Sequence, residues 1–446
     1  MRIAHVISGY LPHETSGTQI HVRDLCEGLR DRGHRVEVFT RLAGDEHGEF
    51  EISRDEWEGV RVTRITNNFA DVDRFELLYT HPAIDARFDE FLAEARPDLV
   101  HVHHLSCLST SMIEVARRRG VAVLMTFHDY WMVCLRGQRI RPEDLGVCET
   151  LDRTRCLSCL NRLWPHLLPL GGPRSLLERL LGRPPSLRKL AAWEAHIRRM
   201  VASCQALTAP ARFHRDRFID WGVEAERLFH APNGFACAEL GGEPRGRKPV
   251  RHIGFIGGVI PSKGVHVLCE AFNRLGRRDL VLHVHGEAPS FHGDTGYLDR
   301  LRRLVRPELD VRFHGRYEHR DLPALLAGLD VLVVPSLWWE NSPLTPREGA
   351  LAGLSVVVSQ LGGLGEVVQE GLAIGFRPGD PEDLARVLTR VLSDGELRAE
   401  MSRKAGLVCD LVRSAARFEE IYDFAVRSAR GEAAARPALV MAPLRA

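Results

Sequence analysis

Short apolar runs alternate with longer amphipathic stretches along most of the chain. The apolar runs predict strands over Arg2–Ser8, Arg35–Thr40, Val60–Ile65, Leu99–His103 and Val121–Phe127. The series continues at Ala206–Ala209, Leu228–Ala231, His252–Ile256, Leu280–His285, Val311–His314, Val331–Val334 and Ser355–Ser359. Segments of helical character lie between them, among them Thr18–Arg32, Ser111–Arg119, Val265–Leu275, Leu322–Leu329 and Pro381–Asp394. Strands that alternate with helices imply an α/β protein with parallel sheets covered on both faces. About a dozen strands suit two such sheets better than one.

The rhythm breaks twice. Cys237–Val250 reads CAELGGEPRGRKPV, rich in Gly, Pro and charge, and a fresh strand opens at His252. This predicts an N-terminal domain over 1–236 and a second domain over 250–410. A helix over 411–430 is expected to pack back on the first domain, with a frayed tail over 431–446. The other break, Leu163–Arg199, reads as Leu- and Arg-bearing helices such as Ser175–Leu181 and Leu187–Met200. Packed helices with a solvated basic face are one reading, and a surface for a membrane or an acceptor is the other.

Composition narrows the field. The 446 residues are 44% hydrophobic and 27% charged, ordinary for a globular protein and against a disordered scaffold. Sixty Lys+Arg against 59 Asp+Glu leave a net charge of +1, which disfavours a generic nucleic-acid binder. No apolar run approaches the roughly 18–20 residues of a membrane span. Met1–Tyr10 reads as a strand rather than a signal peptide, so a cytoplasmic location is expected, with peripheral membrane contact left open. Only Lys189, Lys248, Lys263 and Lys404 are lysines, so each draws notice.

Candidate chemistry sits in the turns that follow strands, where parallel sheets bind ligands. Gly257-Gly258-Val259-Ile260-Pro261-Ser262-Lys263-Gly264 joins a strand to a helix. Glycines permit close backbone approach, the helix start offers free N–H groups, and Lys263 adds a full charge, a combination suited to phosphate or diphosphate. A plain turn with a surface lysine explains the same residues. The stretch matches neither a P-loop nor GxGxxG, which disfavours an ATPase or an NAD-dependent dehydrogenase. Ser16-Gly17-Thr18 opens a helix in the first domain, either as a second anion site or as an ordinary N-cap. VLVVPSLWWENSPLTPREGALAG, residues 331–353, sets Glu340 in a loop and Glu348 on the following helix. Carboxylates beside a cleft accept hydrogen bonds from sugar or ribose hydroxyls, although a helix-start Glu and a solvated loop acid are the plainer reading. His128 ends a strand in the first domain, where it could donate to a ligand oxygen or accept a proton. Cys134, Cys148, Cys156 and Cys159 form C-x13-C-x7-C-x2-C, which suits either a structural zinc site or reduced thiols.

Taken in order, these pieces resemble the retaining GT-B glycosyltransferases of family 4, the group 1 glycosyltransferases, over about residues 1–425. The matching segments are the Ser16-Gly17 loop, Arg32–Val36, Thr126–Asp129, Ala231–Gly234, Pro261–Gly264, the Glu340-x7-Glu348 pair and Gly362–Glu366. The resemblance implies two Rossmann-like, doubly wound parallel-sheet domains facing across a cleft. It implies transfer of a sugar from a nucleotide diphosphate-sugar to an acceptor hydroxyl with retention, without a catalytic metal or cofactor. Glu348 then binds the ribose, Glu340 the transferred sugar and Lys263 the diphosphate. Gly17, Gly257, Gly362 and Gly363 lie in the loops around the donor, and His128 is the active-site histidine near the sugar. The acceptor is expected to be a polysaccharide, a lipid-linked glycan or another small molecule. The pattern departs from the family at Gly258, where an arginine is usual, at Asn341-Ser342 and at Gly349. A nucleotide-sugar epimerase or hydrolase on the same fold, or a non-catalytic binding subunit, is the alternative.

Overall fold

A computed structural model describes residues 1–44, 46–163, 186–241 and 249–441. The expected helix Ser175–Leu181 and part of the expected interdomain linker lie outside these residues. The described chain divides into two compact units. One comprises residues 1–137, 149–234 and 411–441, and the other residues 138–148 and 235–410.

The first unit is built on β1 (Arg2–Ile7), β2 (Arg35–Leu42), β3 (Ile52–Trp57), β4 (Val60–Thr66), β5 (Leu99–Val102), β6 (Ala122–Thr126), β7 (Ala206–Ala209) and β8 (Leu228–His230). They form an eight-stranded sheet in the order β3-β4-β2-β1-β5-β6-β7-β8. β1, β5, β6 and β7 are buried almost throughout, as the apolar runs require. The apolar pattern missed β3, Ile-Ser-Arg-Asp-Glu-Trp, which pairs antiparallel with β4 at the edge. The expectation of parallel pairing fails at this one pair of the sheet. A tight reversal at Glu58 (φ 49°) and Gly59 (φ 74°) turns the chain back, and main-chain hydrogen bonds hold a half-exposed strand that has little apolar content to bury.

The helix Leu411–Ala429 completes this unit by burying Ala415, Phe418, Ile421, Tyr422 and Ala425. It lies close against the helix Gly17–Asp31, because a Cβ on Gly28 would stand only 3.0 Å from that of Ala415. Tyr422 drives its hydroxyl to 2.7 Å from Nδ1 of the buried His101 on β5.

The second unit carries β9 (His252–Ile256), β10 (Val281–His285), β11 (Asp310–Gly315), β12 (Val331–Val334), β13 (Ser355–Ser359) and β14 (Ile374–Phe376). Their order is β11-β10-β9-β12-β13-β14, and all pairs are parallel. One face packs Ile253, Phe255, Leu282, Val284, Val331 and Val333 against Leu268 and Phe272 of the helix Val265–Leu275 and Leu384 and Leu388 of the helix Pro381–Ser393. The other buries Ile256 and Leu332 against Leu322, Leu326, Leu329 and Leu354. Each such side chain contributes about 1.5–3 kcal/mol by leaving water. The result is a rigid platform whose strands deliver their following loops to one edge.

Candidate active site

In the second unit β12 ends at Val334, and the loop that follows carries Glu340 before the helix Leu344–Leu351 begins. Glu340 is only 4% exposed. A carboxylate at that depth needs donors, and its Oε1 has three. They are Nζ of Lys263 at 2.6 Å, Oγ of Ser336 at 2.7 Å and Nε1 of Trp338 at 2.9 Å. Nζ of Lys263 also lies 5.5 Å from the Trp338 ring centroid. Lys263 comes from the turn after β9. That turn reaches the β12 exit because Gly264 has φ +70° and no side chain, since a Cβ there would sit 2.0 Å from the carbonyl oxygen of Pro335.

The Gly362-Gly363 loop is tied to the same place. The N–H of Gly363 donates to the carbonyl of Glu340 at 2.7 Å, and a Cβ on Gly363 would come within 1.8 Å of the Asn341 carbonyl oxygen. Gly363→Ala is therefore expected to push the Glu340 main chain aside at a cost of about 1–3 kcal/mol. Urea unfolding checks the stability loss, and an unchanged midpoint would show that the loop has slack. Glu348 is buried on the helix Leu344–Leu351. Burial, with the Glu348 charge behind it, pushes the Tyr317 hydroxyl up to about 12, so this aromatic at the end of β11 is a neighbour that sequence reading missed. The segment 138–148 folds as a small hairpin with Ile140 bridged to Val147. It lays the guanidinium of Arg139 4.9 Å from the Trp339 ring centroid, beside Glu340.

In the first unit His128 follows β6 and is buried. The β1–β5 register sets His5 opposite His101, and His103 stands two residues on, so all three rings share one face of the sheet. Nδ1 of His5 meets Nε2 of His103 at 2.8 Å, and Nδ1 of His103 meets Nε2 of His128 at 3.0 Å. His21, from the helix Gly17–Asp31, packs against His128 with ring centroids 5.3 Å apart. Burial first, and neighbouring imidazoles second, hold His101, His103 and His128 well below the ordinary histidine range. Burial brings His21 down to about 4, and burial together with His21 brings His5 to about 3.

A neutral imidazole has one N–H. His103 uses both nitrogens, so the relay runs one way or the other. Nε2 of His5 has no hydrogen-bond partner. An orphaned lone pair is tolerated better than an orphaned buried N–H, so His5 donates to His103, His103 donates to His128, and His128 keeps its proton on Nδ1. Beside it, burial opposes charge on His104, but the carboxylate of Asp129, 2.9 Å away, outweighs that and raises its pKa.

Other expected features turn out differently. Ser16 stands at the N-cap of the helix begun by Gly17, yet its hydroxyl makes no cap bond and pairs with the Gln19 side chain instead. Among the described residues, no three of Cys134, Cys148, Cys156 and Cys159 bring their sulfurs mutually within the 4.8 Å that a shared ion requires. The reason is topological. Cys156 and Cys159 lie on the helix Arg153–Leu163 and Cys134 in a turn of the first unit, whereas Cys148 belongs to the hairpin that packs with the second. Among the described residues, no helix is long and apolar enough to cross a membrane.

Comparison with known proteins finds a family match for each of two stretches of the chain. The family described as Glycosyltransferase Family 4 matches residues 15–239, and that described as Glycosyl transferases group 1 matches residues 250–394. Glycogen synthase of Mycobacterium tuberculosis is 33% identical over 428 residues, covering 91% of this chain and 89% of its own. The MMP alpha-(1->4)-mannosyltransferase of Mycolicibacterium hassiacum is 26% identical over 420 residues, covering 89% and 91%. Among solved structures, Anabaena HepE in complex with UDP and glucose gives a TM-score of 0.63 at 18% identity, covering 94% of this chain and 99% of that one. The last likeness shows the fold alone.

Proposed function

The chain belongs to glycosyltransferase family 4, and from that premise we propose that it transfers a sugar from a nucleoside diphosphate-sugar to an acceptor hydroxyl with retention at the anomeric carbon. The observation that carries this reading is the convergence of Lys263, Ser336 and Trp338 on the buried carboxylate of Glu340. Such a group is poised to exchange its own ion pair for a sugar hydroxyl and a phosphate. In the reaction the bond from the anomeric carbon to the diphosphate oxygen breaks, and a bond to the acceptor oxygen forms. The acceptor's proton passes to the leaving phosphate, which departs from the face the acceptor enters.

Each residue then has one task. Lys263 meets the charge that develops on the leaving diphosphate. Glu340 holds sugar hydroxyls, and Glu348 holds those of the ribose, with Tyr317 alongside. His128 donates its Nδ1–H to a sugar oxygen and takes no proton. Arg139 fixes Trp339 and so positions Glu340. The acceptor is a glycan or a lipid-linked glycan precursor, which would bring the protein to a membrane surface.

The test is a thermal-shift panel of nucleoside diphosphates and their sugars on the wild type, Lys263→Ala and Glu348→Ala. A ligand at about 100 times its Kd adds about 2.7 kcal/mol, a rise of a few degrees in Tm. One nucleoside diphosphate is expected to stabilise the wild type, with the response lost in both variants. A wild type indifferent to every nucleotide would sink the donor-site assignment.

A further inference from the structure

We infer that the second unit carries a binding site for a divalent transition-metal ion, formed by His283, His285 and His314, which sugar transfer does not call upon. His283 and His285 are two apart on β10 and so project from the same face of the sheet. That spacing forms a chelate on one strand. The third ring comes from the neighbouring edge strand β11. The β10–β11 register runs evenly to Val284 opposite Phe313, then slips so that His285 faces Gly315. His314 is the extra residue. Arg312 stands opposite His283, so strand alternation puts His314, two residues on, over the same face, and its ring lies over His285 with centroids 4.2 Å apart.

The ligand nitrogens of the three residues all lie within 4.8 Å of one another. Nδ1 of His283 and Nε2 of His314 are 3.0 Å apart. Two nitrogens bound at 2.0–2.1 Å to a tetrahedral ion stand about 3.4 Å apart, and because the three rings lie within 11° of parallel, binding also turns them to bring their lone pairs onto one point. Binding shifts the proton that His314 shares with His283 from Nε2 to Nδ1 of His314, which frees Nε2 as a ligand and releases no proton. An all-imidazole set favours zinc, copper or nickel over magnesium or calcium. Nδ1 of His252, on β9, lies 3.0 Å from Nε2 of His283. With His283 donating there, its Nδ1 presents a lone pair, so His252 orients the ligand from behind in the way metal sites commonly use. His314 is exposed and leaves a path from solvent, while His285 is buried and anchors the site.

The site lies where the fold can feel it. Gly286 and Gly315 directly follow two of the ligands, and the N–H of Gly286 donates to the carbonyl of Gly315 at 2.8 Å. The N–H of Gly257, in the lysine-bearing turn, donates to the carbonyl of His285 at 3.0 Å. An ion at this position clips the edge strand to its neighbour at the root of that turn.

The test uses the full chain, stripped with a chelator, in equilibrium dialysis against Zn2+, and electron paramagnetic resonance of the Cu2+ form. The expected result is one ion that His314→Gln weakens at least about 10-fold, with nitrogen hyperfine structure in the Cu2+ form that this variant reduces from three imidazoles to two. His314 is exposed, so the variant should fold. His252→Gln, which leaves all three ligands in place, is expected to give a smaller loss and serves as a second reading. Ions held by the cysteines or the first unit's histidines are insensitive to His314→Gln and are subtracted by it. Equal stoichiometry and affinity in the wild type and His314→Gln would overturn the site.

Discussion

Lys263→Ala is expected to lower kcat by about 10²–10³-fold, the effect of removing one well-placed stabiliser of developing negative charge, or about 2.7–4 kcal/mol. A unit charge about 4 Å from another, at the effective dielectric of a partly exposed site, is worth about 4 kcal/mol, so one lysine suffices for a loss of this size. Lys263 is the one cation in the turn 257–264. A separate effect falls on stability. Without Lys263, Oε1 of Glu340 keeps only Ser336 and Trp338 as donors, and a buried carboxylate short of one partner costs about 1–3 kcal/mol. Glu340→Gln separates the two effects. It removes the buried charge while leaving Lys263 able to reach phosphate, so nucleotide binding should survive while turnover falls. Steady-state kinetics with the Tm of each variant decide the matter. A Lys263→Ala enzyme that keeps kcat within a few-fold would mean that the diphosphate is neutralised elsewhere.

The first unit is expected to be acid-labile to an unusual degree. His5, His21, His101, His103 and His128 are all buried and held below the usual histidine range. Above pH 6.5 these rings are neutral both folded and unfolded, so they do not make stability depend on pH. As pH falls below 6.5 the unfolded chain binds protons that the folded chain refuses. Each ring then removes about 1.4 kcal/mol of stability per pH unit, until pH reaches its folded value, about 4 for His21 and about 3 for His5. His21 and His5 alone amount to about 3 kcal/mol by pH 5.5, and His101, His103 and His128 act in the same direction. His104, raised by Asp129, works the other way, but it is one group against five. Urea midpoints between pH 7.5 and 5.5 should therefore fall steeply. In His21→Phe, which removes a ring with neither nitrogen hydrogen-bonded, the slope should shrink by about one proton. A midpoint flat across that range would contradict the burial of these rings.

Much of the architecture was legible because its causes are local. β9, β12 and β13 coincide with runs of apolar residues, and the helices Val265–Leu275 and Pro381–Ser393 with periodic ones. The loops after β9 and β12 could be picked out by their glycines, lysine and glutamates. Where local signal was weak the reading failed. β3 is polar and partly exposed, and β14 has only three residues. The cysteine spacing left zinc and thiols both open, since C-x2-C is compatible with one turn of helix, and a spacing of 13 residues says nothing of which unit its two ends join.

Local patterning along the chain is enough for the alternation of strand and helix, the two-sheet organisation and the residue types at the strand exits. Periods of two and 3.6 residues and the conformational freedom of glycine act over a few positions and need no knowledge of the fold. Only the tertiary structure decided what each buried polar group touches. Lys263 meets Glu340 across 77 residues, His5 meets His103 across 98, and His283 meets His314 across 31. These pairings depend on strand order and register. A one-residue change in register turns a side chain to the other face of a sheet, and the same imidazoles would then be separate rings rather than a relay or a metal site.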